Sequence, residues 1–421
     1  MANTNGTAPY RGAGRPESIF VMERLLDDAA RELGIDRIEL RRKNMITPAM
    51  MPYRNPYGVR YDCGEFARGM EQALNAAQFA SFEQRRIEAK ARGQLRGIGI
   101  ANAIERAASP SQQEFAEVRF TPSGSALILI GTKHQGQGHE TMYKQIINQR
   151  LGLDPSEVQF IDGDTDRVAF GMGSNGSRST VIGGSALWNA SGRIIEKGKK
   201  IAGHLLEAAD TDISFVDGEF SVVGTDRKIT LKEVAKAAFM PSRLPAGIEG
   251  GLYETATFVP AEDTWPNGSH VCEVEIDPQT GVVRVVNYVV ADDVGNMVNP
   301  VGVKGQIHGG VAQGLGQALM EQVVYDPESG QLLSGSFMDY AMPRADDMPN
   351  MQVENNAVPT QLNPLGAKGA GEAGTVGALS SVINAVIDAL APLGVTTIEM
   401  PATAEKIWTA IQNAHQGKSA A

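Results

Sequence analysis

Four short segments of this sequence combine glycine with side-chain amides or hydroxyls, and they are the first places to look for chemistry. They are residues 9–17, 134–140, 171–180 and 366–374. Glycine lets a backbone N–H approach a ligand closely, and a helix N-terminus adds partial positive charge, so such loops suit phosphate or pyrophosphate. A single loop of this kind is usually a tight turn. With four such loops in one acidic chain, binding of an anionic ligand and a set of ordinary tight turns are equal alternatives.

One carboxylate lies inside the last segment. Glu372 is surrounded by Gly371, Ala373 and Gly374, and Lys368 is the only neighbour in sequence that could pair with it. A carboxylate in a loop of small residues can serve as a general base. The alternative is an ordinary glutamate at a helix start, which the helix dipole stabilises, and composition alone favours this alternative.

Two motifs fail on their context. His134, His139 and Glu140 lack both the HExxH spacing and a third ligand, so no metal bound by protein side chains is predicted. Residues 369–374 fit a GxGxxG pattern, but residues 357–368 before them contain two prolines and do not read as a strand. A Rossmann dinucleotide site is therefore rejected.

Composition excludes several classes of function. The chain has 421 residues and a net charge of −11, which argues against a nucleic-acid partner. Its two cysteines, Cys63 and Cys272, are too few for a disulfide framework or an iron–sulfur cluster within this chain. No window approaches the ~20 apolar residues of a bilayer span, and residues 1–18 lack the features of an export signal. We expect a cytoplasmic protein without a membrane partner.

Hydrophobic spacing predicts the elements that position the four segments. Helices are expected at 15–34, 65–92, 305–321, 379–390 and 403–414. One further helix should begin at residue 36, and another should follow the second glycine-rich segment and end at residue 151. Strands are expected at 97–101, 114–120, 125–131, 272–276 and 282–291. The order hairpin, loop, helix occurs twice, which indicates a weak internal duplication. These elements predict an α+β chain with mixed sheets and flanking helices.

Six segments resemble the molybdenum hydroxylases, the xanthine dehydrogenase and aldehyde oxidase family that includes carbon monoxide dehydrogenase. They are residues 9–15, 135–141, 163–166 with 176–180, 292–300, 305–316 and 366–372. The resemblance implies two related molybdenum-cofactor-binding subdomains. It suggests a helical N-terminal segment with a metal-facing loop over 1–95, a first cofactor-binding subdomain over 96–250, and a second over 251–421 that holds the catalytic glutamate.

The resemblance also implies a cofactor and roles for named residues. The cofactor would be molybdopterin, usually the cytosine dinucleotide in bacteria, carrying a molybdenum without protein ligands. Glu372 would take a proton from the molybdenum hydroxyl, and Gln306 would bond an oxygen on the metal. The cofactor-binding positions implied in this way are Arg11, Gly12, Gln135, Gly136, Gln137, Gly138, Ser174, Gly176, Ser177, Ser179, Gln306, Lys368, Gly369, Ala370 and Gly371.

The sequence departs from relatives in this family at three points. Gly12 stands where carbon monoxide dehydrogenase has a copper-bound cysteine, so carbon monoxide oxidation is not expected. Ala13 stands where xanthine oxidases carry an aromatic residue, so this loop is not expected to stack an aromatic ring against a purine substrate. The family's large subunit begins with a further half that is not seen before Pro9. We therefore expect the C-terminal part of a split subunit, or a truncated chain, with the N-terminal half as a separate chain.

The sequence thus predicts the molybdenum-cofactor subunit of a multi-subunit hydroxylase or dehydrogenase. Its small-molecule substrate would be an aldehyde or an N-heteroaromatic compound, and the oxygen would come from water. Iron–sulfur clusters and FAD are expected on partner subunits. The alternative is a non-catalytic molybdopterin carrier or assembly protein, which would have no use for a base at Glu372.

Overall fold

The backbone combines helices with mixed sheets, which confirms the predicted α+β class. The computed structural model describes residue 6 and residues 8–419. The helices are α1 Arg15–Leu33, α2 Arg37–Asn44, α3 Phe66–Ala76, α4 Phe82–Ala91, α5 His139–Leu151, α6 Gly184–Leu205, α7 Leu231–Ala237, α8 Pro300–Leu319, α9 Ala373–Leu390 and α10 Ala404–Ser419. The strands are β1 Tyr53–Arg54, β2 Arg60–Tyr61, β3 Leu95–Ile104, β4 Glu114–Phe120, β5 Ala126–Ile130, β6 Val158–Asp162, β7 Ile213–Val216, β8 Glu219–Val222, β9 Lys228–Thr230, β10 Tyr253–Phe258, β11 Asn267–Ile276, β12 Val283–Asp293 and β13 Met351–Asn355.

Two four-stranded sheets repeat one arrangement. The first has the order β10-β4-β5-β6 and the second the order β3-β11-β12-β13. In each, an antiparallel hairpin is flanked by an antiparallel strand on one side and a parallel strand on the other. The hairpin is followed by a helix, α5 in the first sheet and α8 in the second. The predicted repetition of hairpin, loop and helix is therefore present in the topology.

Two strands pair across the domain boundaries expected from the resemblance. β3 begins at residue 95, at the expected boundary, but joins the second sheet through β11. β10 follows residue 250 but joins the first sheet through β4. The boundaries at 95/96 and 250/251 remain a prediction, and this exchange of strands ties the two sheets together.

Helix α9 lies at the centre of the second core. Every residue of it except Asp388 is buried, and it packs against β3, α8 and α1. By length and composition alone, residues 373–393 are apolar enough to cross a membrane, contrary to the expectation that no window approaches that length. Because 78% of that window is buried inside the protein, the apolar character is that of a core helix.

One prediction of secondary structure was wrong, and one long helix was not predicted. The single helix expected over 65–92 is broken into α3 and α4 by Gln78, whose φ is 50°. Arg85 donates to the carbonyls of Ala77 and Gln78, so a side chain from α4 satisfies the end of α3. Helix α6 was not predicted, because its glycines, among them Gly192 and Gly198, lower helix propensity.

Candidate active site

All four glycine-rich segments lead into helix N-termini. They precede α1, α5, α9 and the turn Ser179–Gly183 that opens α6. No side chain caps any of these four starts in the described part of the chain, whereas Asn299 accepts the N–H of Gly302 at the start of α8. Uncapped N-termini leave backbone donors and partial positive charge available to an anionic ligand.

The close crossing of α8 and α9 brings Gln306 beside the last loop. A Cβ on Gly374 would lie 2.4 Å from the carbonyl oxygen of Ile307, so these helices approach to a distance that only glycine permits. Thr375 donates from its hydroxyl to the Gly310 carbonyl at 3.0 Å. Gln306, one turn earlier on α8, is thereby held next to residues 366–372.

Arg11 joins the first loop to both of these elements. Its Nε donates to the carbonyl of Gly371 at 2.6 Å, and its Nη2 donates to the backbone oxygen and Oε1 of Gln306, both at 3.0 Å. Burial lowers the pKa of Arg11, and the negative charge of Glu372 opposes that shift most strongly. The structure therefore brings Arg11, Gln306 and Gly371 together.

Gly12 occupies a conformation that other residues avoid. Its φ is +110°, and a Cβ built there would lie 2.4 Å from the Cδ and Cγ atoms of Pro16 at the start of α1. Only glycine fits without moving that helix. A thiol at this position would require the loop to be rebuilt.

Ser177 connects the third loop to Glu372. Its Oγ accepts the backbone N–H of Glu372 at 3.0 Å and donates to Glu372 Oε2 at 3.3 Å. Gly369 allows this contact, because a Cβ there would lie 2.3 Å from the Ser177 carbonyl oxygen. Glu372 is half-buried and makes no ion pair with any described residue. Its carboxylate thus faces the junction of three loops without a direct ion pair, and the charge of the Arg11 guanidinium acts on it from the first loop.

The second loop meets the third, not the fourth. Ser174 donates from Oγ to the Lys133 carbonyl at 2.6 Å and contacts the hydroxyl of Ser179 at 3.2 Å. Residues 135–138, with Gly176 of the third loop, form no hydrogen bond to residues 366–372 within the described structure. Burial and the neighbouring His134 lower the pKa of His139 to about 4, so His139 is neutral at neutral pH.

The Lys368 side chain forms a buried ion pair below the fourth loop. Its Nζ lies 2.5 Å from Asp293 Oδ2, and both side chains are completely buried. Asp293 also accepts the backbone N–H groups of Gly295 and Val358. The ammonium of Lys368 therefore fixes the loop from beneath, while Gly369, Ala370 and Gly371 remain the part of that loop nearest the site.

Sequence reasoning missed two residues. Arg178, inside the third loop, is fully buried and donates to Glu114, to the Gly173 carbonyl at 2.6 Å and to the Gln113 carbonyl at 3.1 Å. The sequence feature that could have identified Arg178 is the presence of an arginine within a glycine-rich segment. Glu105, directly after β3, is 1% exposed, and its carboxyl faces Glu372 and Ser177. A single glutamate after an apolar strand gives no sequence signal.

The donors of this site fit an anionic organic cofactor. They are uncapped helix starts, glycine N–H groups and the amides of Gln135, Gln137 and Gln306. No group of three His, Cys, Asp or Glu residues that could hold a metal ion occurs among the described residues. A cavity of about 710 Å³ beside α6, lined by Arg150 and Trp188, contains none of the site residues.

The fold and loops together define a cofactor-binding module, and comparison with known families gives its name. The chain belongs to the molybdopterin cofactor-binding domain family. One family model of that description matches residues 72–349, and a second matches residues 1–45.

Similar proteins include oxidoreductases with different named substrates. The chain is 35% identical to the carbon monoxide dehydrogenase large chain of Hydrogenophaga pseudoflava, over 97% of its own length and 52% of that protein. It is 34% identical to the nicotine 6-hydroxylase large subunit of Paenarthrobacter nicotinovorans, over 94% and 50%. The crystal structure of quinoline 2-oxidoreductase from Pseudomonas putida 86 matches with a TM-score of 0.90 at 36% identity, over 96% and 53%. The chain thus spans about half the length of these relatives.

Proposed function

We propose that this chain binds molybdopterin and supplies the base of an oxidoreductase that hydroxylates or dehydrogenates an aldehyde or an N-heteroaromatic carbon. When bound, such a cofactor supplies a molybdenum centre that accepts two electrons and provides oxygen derived from water. The chain's own part is to hold the anionic groups at the starts of α1, α5, α6 and α9. Arg11 fixes Gly371 against Gln306, and Glu372 accepts a proton at its carboxylate.

The observation that carries this proposal is the environment of Glu372. Its carboxylate lies where the first, third and fourth loops meet, and it accepts a hydrogen bond from the Ser177 hydroxyl at 3.3 Å. A half-buried carboxylate without an ion pair is able to accept a proton. A glutamate with only a structural role would instead be expected to bind a cation or cap its helix, and Glu372 does neither within the described residues.

The test is Glu372→Gln in the assembled enzyme. The amide keeps the shape but cannot accept a proton at neutral pH, so we expect turnover to fall ~100-fold to 10,000-fold with cofactor content unchanged. Glu354→Gln is the matched control, because Glu354 is also half-buried but lies on β13 and bonds Gln352 at 2.8 Å. More than a tenth of the wild-type rate in Glu372→Gln would refute the assignment. A wild-type protein that holds the cofactor without turnover would support the carrier alternative.

The proposed substrate class excludes carbon monoxide. Gly12 has no thiol, and its φ of +110° with Pro16 only 2.4 Å from a built Cβ opposes the introduction of one. Relatives are named for nicotine 6-hydroxylation and quinoline oxidation, which supports an N-heteroaromatic substrate. Assays with nicotine, quinoline, an aldehyde and carbon monoxide test this point. Carbon monoxide turnover by the unsubstituted protein would contradict it.

The proposal extends to the form of the cofactor and the location of the protein. We assign the cytosine dinucleotide form, with iron–sulfur and FAD subunits as partners, on the family resemblance. Mass identification of the released cofactor, with metal and flavin analysis of the native complex, tests both assignments.

A cytoplasmic, reducing location is supported by the free thiols of Cys63 and Cys272. Cell fractionation tests that location.

We also propose that a separate chain, equivalent to the other half of the relatives' length, completes the site. Two exposed apolar areas support this proposal. One is the outer face of α1, with Met22, Leu25 and Leu33, and the other is the segment 323–342, in which Phe337 and Met338 are almost fully exposed. Contiguous exposed apolar surface marks interaction sites. A soluble monomer of this chain that carries stoichiometric molybdenum, compared with the co-expressed complex, would show the proposal to be wrong.

A further inference from the structure

Glu105 presents an unusual buried carboxyl. It follows the last residue of β3, its backbone N–H donates to the Pro266 carbonyl at 2.8 Å, and only 1% of its surface is exposed. Neither of its carboxylate oxygens has a hydrogen-bond partner among the described residues. A buried, ionised carboxylate without partners is strongly destabilising, so the group must be neutral or must gain a partner.

The groups that face Glu105 identify that partner. They are the Glu372 carboxyl at the start of α9 and the Ser177 hydroxyl, while the charges of Arg15 and Arg11 act from the first loop. Neither arginine forms an ion pair with Glu105 in the described structure, since Arg15 donates to the Gly12 carbonyl and Arg11 to Gly371 and Gln306. Burial and the adjacent Glu372 raise the pKa of Glu105 well above its usual value.

A direct hydrogen bond between the two carboxyls requires one proton. Ionised carboxylates only accept, so two of them cannot bond each other until one carries a proton. A single proton on Glu105 creates an O–H donor directed at the Glu372 carboxylate. This proton also neutralises the buried negative charge of Glu105, so that Glu372 no longer faces a like charge.

We propose that Glu105 is a positioning residue for Glu372: as a neutral carboxylic acid it donates a hydrogen bond to the Glu372 carboxylate, and the pair holds one proton. This inference rests on the proposed role of Glu372 as base. The bond orients the base and keeps it ionised, while Ser177 holds its backbone N–H. When Glu372 accepts a proton from the reaction, both carboxyls are neutral, and loss of one proton to solvent restores the resting pair.

The first test is infrared spectroscopy of the purified protein in its native assembly, which does not depend on turnover. At neutral pH the wild-type protein should show the carbonyl stretch of a protonated carboxylic acid that disappears in Glu105→Gln. In Glu372→Gln the same band should remain but titrate at lower pH, because the neighbouring negative charge is gone. Glu273→Gln is the matched control: Glu273 is as buried as Glu105 but pairs with Arg85 and Arg96, so it has no such band to lose.

The second test is the pH dependence of kcat/KM. Glu105→Gln still donates through its amide and should keep most of the neutral-pH activity. Glu105→Leu removes the donor from the carboxyl pair, so the acid limb of the kcat/KM profile should move to higher pH. A purely structural role would leave the pH profile of both variants unchanged.

These experiments separate the two hypotheses. A wild-type spectrum without a protonated carboxyl assignable to Glu105, or identical pH profiles for Glu105→Leu and wild type, would overturn the inference about Glu105. Full activity in Glu372→Gln would instead overturn the proposed base, while the infrared band of Glu105 could still be observed.

Discussion

Two kinds of carboxyl, with and without an ion pair, lie around the loops of this protein. Glu114 and Asp293 are fully buried, and each is bonded to an equally buried cation, Arg178 and Lys368 respectively. Glu105 and Glu372 lie at the junction of the same loops, and neither forms an ion pair within the described residues. The paired carboxylates fix loop conformation, whereas the unpaired carboxyls remain free to exchange a proton.

The difference follows from electrostatics. A buried ion pair is stable only while both charges are present, so its carboxylate cannot take up a proton without leaving the cation unpaired. Two facing carboxyls have the opposite property, because their mutual repulsion favours one shared proton. A loop site that must both bind an anion and accept a proton uses the first kind for support and the second for chemistry.

The largest effect should come from breaking a supporting pair. Lys368→Met leaves the Asp293 carboxylate buried without its cation, and we expect a loss of about 3–5 kcal/mol in the free energy of unfolding together with lower cofactor content. Thermal unfolding and molybdenum analysis measure the two effects. In the control Lys228→Met, the lost pair with Glu219 is exposed, so a loss of less than about 1 kcal/mol is expected. Equal losses of stability in the two variants would contradict the distinction between a buried supporting pair and an exposed pair.

A smaller effect concerns stability and pH. The native state keeps the proton of Glu105 at pH values where the unfolded chain, with the ordinary pKa of 4.5, has lost it. The free energy of unfolding therefore falls by about 1.4 kcal/mol per pH unit as pH rises from that value towards the raised native pKa. Glu105→Gln cannot ionise, so its stability relative to wild type should increase with pH over this window.

Urea unfolding from pH ~5 to pH ~7 measures that slope. Glu354→Gln should keep the wild-type slope, since Glu354 is half-buried on β13 and is not among the groups that act on Glu105. The same slope in Glu105→Gln and wild type would mean that Glu105 is ionised in the native protein.

The smallest effect should come from removal of the Ser177 hydroxyl, which joins the third loop to the fourth. Ser177→Ala removes an acceptor for the Glu372 N–H and a donor to its carboxylate, each a neutral or weak bond of about 1 kcal/mol. We expect kcat to fall about fivefold with little change in unfolding temperature. Ser191→Ala, which removes a buried hydroxyl bonded to Leu187 at 2.8 Å on α6, is the control for a general loss of packing. A fall of kcat as large as that of Glu372→Gln would mean that Ser177 has a further role.

Much of the architecture could be predicted from local patterns. The helix over residues 15–34 and its end at Gly34 were expected, and α1 ends there with Gly34 at a φ of 65°. The hairpin around residues 277–281 was expected and is formed by β11 and β12. These elements depend on periodicity and turn residues, which are local properties. The broken helix at Gln78 was not predictable, because Arg85 terminates α3 from the following helix.

The sequence by itself determined the class of the protein: four glycine-rich loops before helices, an α+β order and the motifs that carry the family resemblance. It also drew attention to Glu372 as a carboxylate among small residues, and the family resemblance implied its role as base. Only the tertiary structure decided which charged groups meet. It assigned Lys368 to Asp293 and Glu105 to Glu372, pairs separated by 75 and 267 positions in the chain. Burial and charge pairing depend on which surfaces the fold brings together, and sequence spacing carries no record of that.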